Sequence, residues 1–253
     1  QLGELDDAVF NDVEAVINLA GENIAGGRWT KNRKKALMDS RIIPTRLLVS
    51  RIKERENKPQ VFFSASAIGY YRPVEKGHIN EDGDPGKLFI SDICKAWEKE
   101  ADIPESFGIR TVKARIGIVL SKDGGALEKM LLPFSLGLGG RLGSGKQYMS
   151  WISIDDVTNA ILYCLCNKKI SGPVNFTSPS PVTNLQFTKI LGKALSRPTL
   201  FPVPPFALRL LLGEMADQLL LASLPVIPEK LLLNRFEFEG KDLEEVLKKE
   251  LSN

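Results

Sequence analysis

Val13-Glu14-Ala15-Val16-Ile17-Asn18-Leu19-Ala20-Gly21 is a mostly apolar run that closes on small residues. That is the pattern of a strand buried on both faces of a parallel sheet, which lacks the polar alternation that a solvated face imposes. Downstream, Val61-Phe62-Phe63-Ser64-Ala65-Ser66 reads as a second buried strand running into a small-residue loop, and Thr111 to Leu120 as a third. Helices fill the intervals. Thr30 through Asn57 carries Leu37, Leu47, Leu48 and Ile52 as apolar positions, with Pro44 marking a kink or the start of a second piece. Between Leu88 and Asp102, Phe89, Ile93, Trp97 and Ala101 recur every four residues and form a stripe for the sheet, with Lys95, Glu98, Lys99 and Glu100 turned elsewhere. Strand alternating with helix means a parallel sheet, and the handedness of βαβ units makes it doubly wound.

Beyond Leu120 come a glycine-rich turn and helix, Gly124 to Leu136, and then Gly137 to Gly145, which is loop by composition with five glycines among nine residues. Asp155 or Asp156 is expected to cap a helix through Asn167, Pro173-Val174-Asn175-Phe176 to form a short strand, and Asn184 to cap a helix carrying Phe187, Ile190, Leu191 and Leu195. The tail, rich in proline and leucine, reads as a small helical lobe, so the expected division is a domain over residues 1–197 and a lobe over 198–253.

At 253 residues, 43% hydrophobic and 26% charged, the composition is that of an ordinary soluble domain. No run reaches the ~18 consecutive apolar residues of a membrane span, so no membrane partner is expected. Cys94, Cys164 and Cys166 make an odd count without metal-type spacing, which points to a reducing, cytoplasmic setting with no disulfide and no metal. The acidic opening Gln1 to Asp7 is unlike a basic targeting segment. A net charge of +3 does not call for nucleic acid, although Arg28 to Lys58 holds eleven Lys/Arg against Asp39, Glu54 and Glu56. That segment is a solvated helix face, an anion or cofactor-phosphate site, or a partner surface.

Three stretches together resemble the extended short-chain dehydrogenases, the group of sugar-nucleotide epimerases and dehydratases: Asn18-Leu19-Ala20-Gly21, Ser64-Ala65-Ser66-Ala67-Ile68-Gly69-Tyr70-Tyr71 and Trp151-Ile152-Ser153-Ile154-Asp155-Asp156. Asn23 to Trp29, Ser40-Arg41, Pro133 to Gly140 and Gly143 to Gln147 are similar to the YfcH-type epimerase family proteins, as are Arg197-Pro198, Val203-Pro204, Gly213-Glu214 and Ile227-Pro228 in the tail. The resemblance implies a Rossmann-like sheet that binds NAD(P), with NADP the expected cofactor and NAD the alternative. It also implies a small polar substrate, and a homodimer as in many relatives. The cofactor is expected along Leu19, Ala20, Gly21, Glu22, Arg41, Ser64, Ala65 and Arg115, and the substrate against Asn23, Gln147 and Trp151.

A dinucleotide needs a glycine-rich turn between the first strand and helix, where backbone N–H groups and a helix N-terminus meet the pyrophosphate. The glycine clusters here follow the wrong elements, so the leading βαβ unit is expected upstream of Gln1. In working relatives a serine orients the substrate and a tyrosine four residues before a lysine moves the proton. Ser66 matches the serine, against a plain reading as a small hydroxyl closing a strand. Measured back from Glu98, the tyrosine and lysine positions fall on Ile90 and Cys94, so Tyr70 or Tyr71 is the candidate acid, with core packing as the competing fate. Arg115 is either half of an interior ion pair or a contact to an anionic substrate. Trp151 is either cleft wall or core. Lone His78 and the turn acids Glu81 and Asp82 are weaker candidates. The expected function is an NAD(P)-dependent oxidoreductase or nucleotide-sugar epimerase-like enzyme. The alternative is a catalytically idle NADP(H) sensor or scaffold, with a link to cell division carried by labels on some relatives.

Overall fold

The computed structural model describes residues 6–252, and the opening Gln1 to Leu5 lies outside them. After a 3-10 turn at Asp7–Phe10, the first half of the chain runs β1 (Ala15–Asn18), α1 (Lys31–Lys53), β2 (Val61–Ala67), α2 (Phe89–Ala101), β3 (Arg110–Ile116), β4 (Ile118–Ser121) and α3 (Gly125–Ser135). The second half runs β5 (Tyr148–Met149), β6 (Trp151–Ser153), α4 (Ile154–Cys166), β7 (Gly172–Phe176), β8 (Val182–Thr183), α5 (Asn184–Ala194), α6 (Pro205–Leu212), α7 (Glu229–Leu233) and α8 (Leu243–Ser252).

The strands β1, β2, β3 and β7 lie side by side in that order, all parallel, with Asn18 level with Ser64 and Ser66 level with Arg115. Successive side chains of a strand leave on opposite faces, and the apolar sets follow that rule. Phe62 joins Val49 and Ile52 of α1 and Ala101 of α2, whereas Val61, Phe63, Val112, Ala114, Val174 and Phe176 join Val157, Ala160 and Cys164 of α4. Helices therefore cover both faces, the doubly wound arrangement expected. Fully burying one phenylalanine, as at Phe62 or Phe63, contributes about 1.5–3 kcal/mol.

Several local expectations are corrected. The first strand is not buried on both faces: Ile17 and Leu19 are exposed, and one edge of β1 pairs with no strand among the described residues. α1 runs unbroken through Pro44. Its cap is Thr30, whose hydroxyl accepts the Arg33 N–H. The strand expected over Thr111–Leu120 divides at Gly117, and β4 leaves the main sheet to pair with β6. Gly117 marks that division because an added Cβ there would stand 2.6 Å from the Ser150 carbonyl oxygen. Ser153, not either aspartate, caps α4, and Thr183 rather than Asn184 caps α5 through a reciprocal box with Gln186. In each case the hydroxyl one residue before the helix reaches the third N–H inside it. All three cysteines are free. Among the described residues no helix is long and apolar enough to cross a membrane.

Candidate functional site

β2 delivers Ser66 to its last turn, next to the 3-10 turn Ile68–Tyr70. Ser66 is nearly closed off from solvent, and its hydroxyl donates to Glu98 Oε1 at 2.7 Å. Glu98 was expected to point away from the sheet, but it is buried. It takes a fork-on-fork contact from Arg115, Nε to Oε1 at 2.8 Å and Nη2 to Oε2 at 2.8 Å. Burial works against the Arg115 charge, yet the hydrogen bonds and the field of Glu98 outweigh it and raise its pKa. Arg115 Nη1 also donates to the Tyr71 hydroxyl at 3.0 Å, and that hydroxyl donates to Asn175 Oδ1 at 2.6 Å. The Tyr70 ring lies over the guanidinium, 3.5 Å from its carbon. One connected chain thus runs from Ser66 across β3 to β7, in the low-dielectric interior where every such bond is stronger and every missing partner costs more.

This geometry separates the expected site residues. Arg115 forms the interior ion pair with Glu98. Tyr71 is 1% exposed, burial pushes its pKa up to about 12, and its hydroxyl is already committed to Arg115 and Asn175. Tyr70 is half-buried and lines a cavity beside α2. Ser64 is fully buried with its hydroxyl on the Ala65 carbonyl, and Ala65 is buried too. Trp151 is core, packed with Leu120, Leu127 and Phe187, its indole N–H on the Ser180 carbonyl. Gln147 is buried and donates to the Leu142 and Leu220 carbonyls, which staples two loops and corrects its expected place on the cleft wall. His78 is exposed.

The residues expected at the end of β1 are the accessible ones. Leu19, Gly21, Glu22 and Asn23 are exposed, and Ala20 and Arg41 are half-buried. Their loop is held in shape from within: the Ala20 N–H meets Asn18 Oδ1, the Glu22 N–H meets Ser40 Oγ at 3.0 Å, and Arg41 donates to the Glu22 carbonyl at 2.9 Å. Arg41 also stacks on Trp97, and burial holds its guanidinium below the usual arginine value. A Cβ on Gly21 would sit 3.1 Å from that guanidinium carbon, so the side chain lies flat under the turn.

Sequence reasoning missed the contacts that the tail makes with α1 and α2. From the segment after α6, Gln218 accepts the Ile90 N–H at 3.1 Å and donates to Glu214, which pairs with Lys34 of α1. Gln218 belongs to a single π turn, Ala216–Leu220, an irregularity with no reliable sequence signature. A cavity of about 480 Å³ lies alongside α2 over the middle of β3, with Glu81, Lys99, Lys113 and Arg115 in its wall. Tyr70 and Glu98 of the Ser66 network line it as well, and it extends down β3 to Lys113, which is level with Ser64. Glu81 accepts two backbone N–H groups on one oxygen while the other has no partner, and burial raises its pKa.

Residues 3–175 match the NAD dependent epimerase/dehydratase family, and residues 203–250 match a domain of unknown function, DUF1731. The chain belongs to the NAD-dependent epimerase/dehydratase family. Epimerase family protein ML0860 of Mycobacterium leprae is 41% identical over 246 residues, 97% of this chain and 79% of that protein. The crystal structure of human epimerase family protein SDR39U1 (isoform 2) with NADPH superposes with a TM-score of 0.91 at 33% identity, covering 96% of this chain and 83% of that one. The nucleoside-diphosphate sugar epimerase of Corynebacterium glutamicum gives 0.80 at 27% identity, over 99% of this chain and 49% of that one. Within this epimerase family chain, the two positions that the resemblance assigns to tyrosine and lysine carry no proton chemistry. The Ile90 side chain fills the space over Gly69, where an added Cβ would meet it at 2.6 Å. Cys94 is wholly buried, and burial pushes its thiol up to about 12.

Proposed function

We propose that this epimerase family chain binds a nicotinamide dinucleotide, NADP in preference to NAD, with its nicotinamide half over the ends of β1 and β2, and acts on a small polar substrate. The observation that carries the reading is the open turn Leu19 to Asn23 beside Ser66, in a chain that superposes on the NADPH-bound human relative along 96% of its length. The residues present fit that half of the ligand: Leu19 offers an apolar wall, and Arg41 supplies a half-buried cation that Gly21 makes room for. The pyrophosphate needs a glycine-rich turn between a first strand and helix, which the described residues do not include. When bound, the cofactor supplies a hydride acceptor or donor. Ser66 gives its own proton to Glu98, so its lone pairs are left to accept a hydrogen bond from a substrate hydroxyl. Tyr70 is the remaining phenol at the site and the candidate acid. Asn23 borders the substrate side of the turn. A reducing, cytoplasmic setting and pairing of two copies through the long helices are part of the same proposal.

Ile90 and Cys94 favour a second reading, in which the cofactor is held without turnover and the protein senses NADP(H). Titration of the full-length protein with NADPH, read by cofactor fluorescence, tests the common element. Saturable binding is expected, and its absence overturns both readings. A substrate panel then separates them: turnover that falls on Ser66→Ala or Tyr70→Phe, with NADPH affinity unchanged, supports the enzyme. Binding without turnover across the panel supports the sensor.

A further inference from the structure

Leu132 on α3, Leu136 at its C-cap, Leu138 and Leu200 on the following loops, and Phe206 and Leu210 on α6 are each between 59% and 75% exposed. The segments that carry them are tied together. Arg197 Nε donates to the Ser135 carbonyl at 2.8 Å, Pro198 approaches Gly137, and Val203, one residue before the cap of α6, accepts the Gly143 N–H and donates its own to the Arg141 carbonyl, each at 2.9 Å. α6 itself has an inverted pattern, since Leu208 is its single buried residue while Phe206, Leu210 and Leu211 project outward. Contiguous exposed apolar surface of this kind marks an interaction site on a soluble protein.

The charge around it selects the occupant. Residues 125–143 and 197–213 contain Lys129, Arg141, Arg197 and Arg209 against a single acid, Glu128. Arg209 is paired with Asp217 and Arg141 turns onto the Gly143 carbonyl. Lys129 and Arg197 are exposed and each spends one donor on a backbone carbonyl, which leaves their other donors facing outward. A second copy docked on the same patch through two-fold symmetry brings these cations against themselves. A partner helix needs a groove, and these side chains protrude. Projecting leucine and phenylalanine inside a basic collar match the acyl boundary and anionic headgroups of a bilayer.

We propose that the face built by α3, the 136–143 loop and α6 rests on an anionic lipid surface, in a peripheral contact without a membrane span, which departs from the expectation of no membrane partner. The full chain is sedimented with phosphatidylcholine vesicles containing or lacking phosphatidylglycerol. Binding is expected to the anionic vesicles, weakening with salt, and the double substitution Phe206→Asp with Leu210→Asp is expected to lower the partition coefficient roughly tenfold or more. Because the change places two charges on an exposed helix, its thermal midpoint is checked against the parent. If that variant fails to fold, Lys129→Glu with Arg197→Glu probes the collar and is expected to remove the preference for anionic vesicles. Three results each overturn the proposal: a parent chain that stays in the supernatant, variants that bind as well as the parent, or a parent that binds neutral vesicles equally. So does a patch substitution that turns a dimer into a monomer in a protein that ignores vesicles.

Discussion

Glu98 and Arg115 share a buried fork-on-fork contact whose value lies in its being complete. Arg115→Met strands a carboxylate in the interior, with the Ser66 hydroxyl as its remaining partner, and is expected to cost about 3–5 kcal/mol in urea unfolding. Adding Glu98→Leu removes the stranded charge, so the double variant is expected to recover most of that loss. A double variant as unstable as the single one contradicts this account. Tyr71 is tested by pH. Its pKa of about 12 in the fold exceeds the ~10 of an unfolded tyrosine, so the folded state holds the proton more tightly. The resulting stability is complete below pH ~10 and is lost as pH rises toward 12, about 3 kcal/mol in all. Tyr71→Phe is expected to be less stable than the parent near neutrality and to fall less steeply over that alkaline window, measured by thermal midpoint against pH. Ser66 was legible from its place at a strand end. Its partner was not, because a glutamate in a helix ordinarily faces water. Only the arginine one strand over, level with Ser66, gives Glu98 a reason to turn inward.

Helices and strands were legible wherever their period was strong, and the errors fall on features without one. Pro44 reads as a breaker, yet α1 passes through it. Tertiary packing of Leu37, Thr45, Val49 and Ile52 holds the helix together against the lost N–H and the ring clash. Pro44→Ala restores that N–H, so it is expected to stabilise the protein by about 1–3 kcal/mol in urea unfolding, and a loss of stability there means that the proline ring is itself packed. Gly117 carried a signal, a glycine inside a strand pattern. Its replacement by alanine drives a Cβ into the Ser150 carbonyl and is expected to cost about 1–3 kcal/mol or more, since backbone cannot swing aside as a side chain can. The caps were misplaced by one to three residues because aspartate, asparagine, serine and threonine all suit that role, and adjacent candidates are decided by the backbone angle of entry.

At the scale of the whole molecule, the tail reads in sequence as a lobe of its own, since composition changes there and says nothing of which side chains cross. Leu231, Phe236 and Phe238 enter the cluster formed by β3, β7 and α4, and Leu243, Val246 and Leu247 enter the one formed with Leu120, Trp151 and α5. Val226 pairs by backbone with the segment around Ile79, and Gln218 reaches the first turn of α2. The sheet and the tail therefore complete one another's cores, and neither buries its apolar face alone. Unfolding is expected to be a single transition, with tryptophan fluorescence and far-ultraviolet circular dichroism coinciding in urea. Leu231→Ala is expected to lower the midpoint of that whole transition, at a cost of about 2–5 kcal/mol for a fully buried leucine, without splitting it. Two separated transitions, with Leu231→Ala shifting only one, give the tail its independence and return the division near residue 197 that composition suggests. A single shared transition also means that the turn carrying Glu214 and Gln218 stays seated over α2 for as long as the sheet is folded.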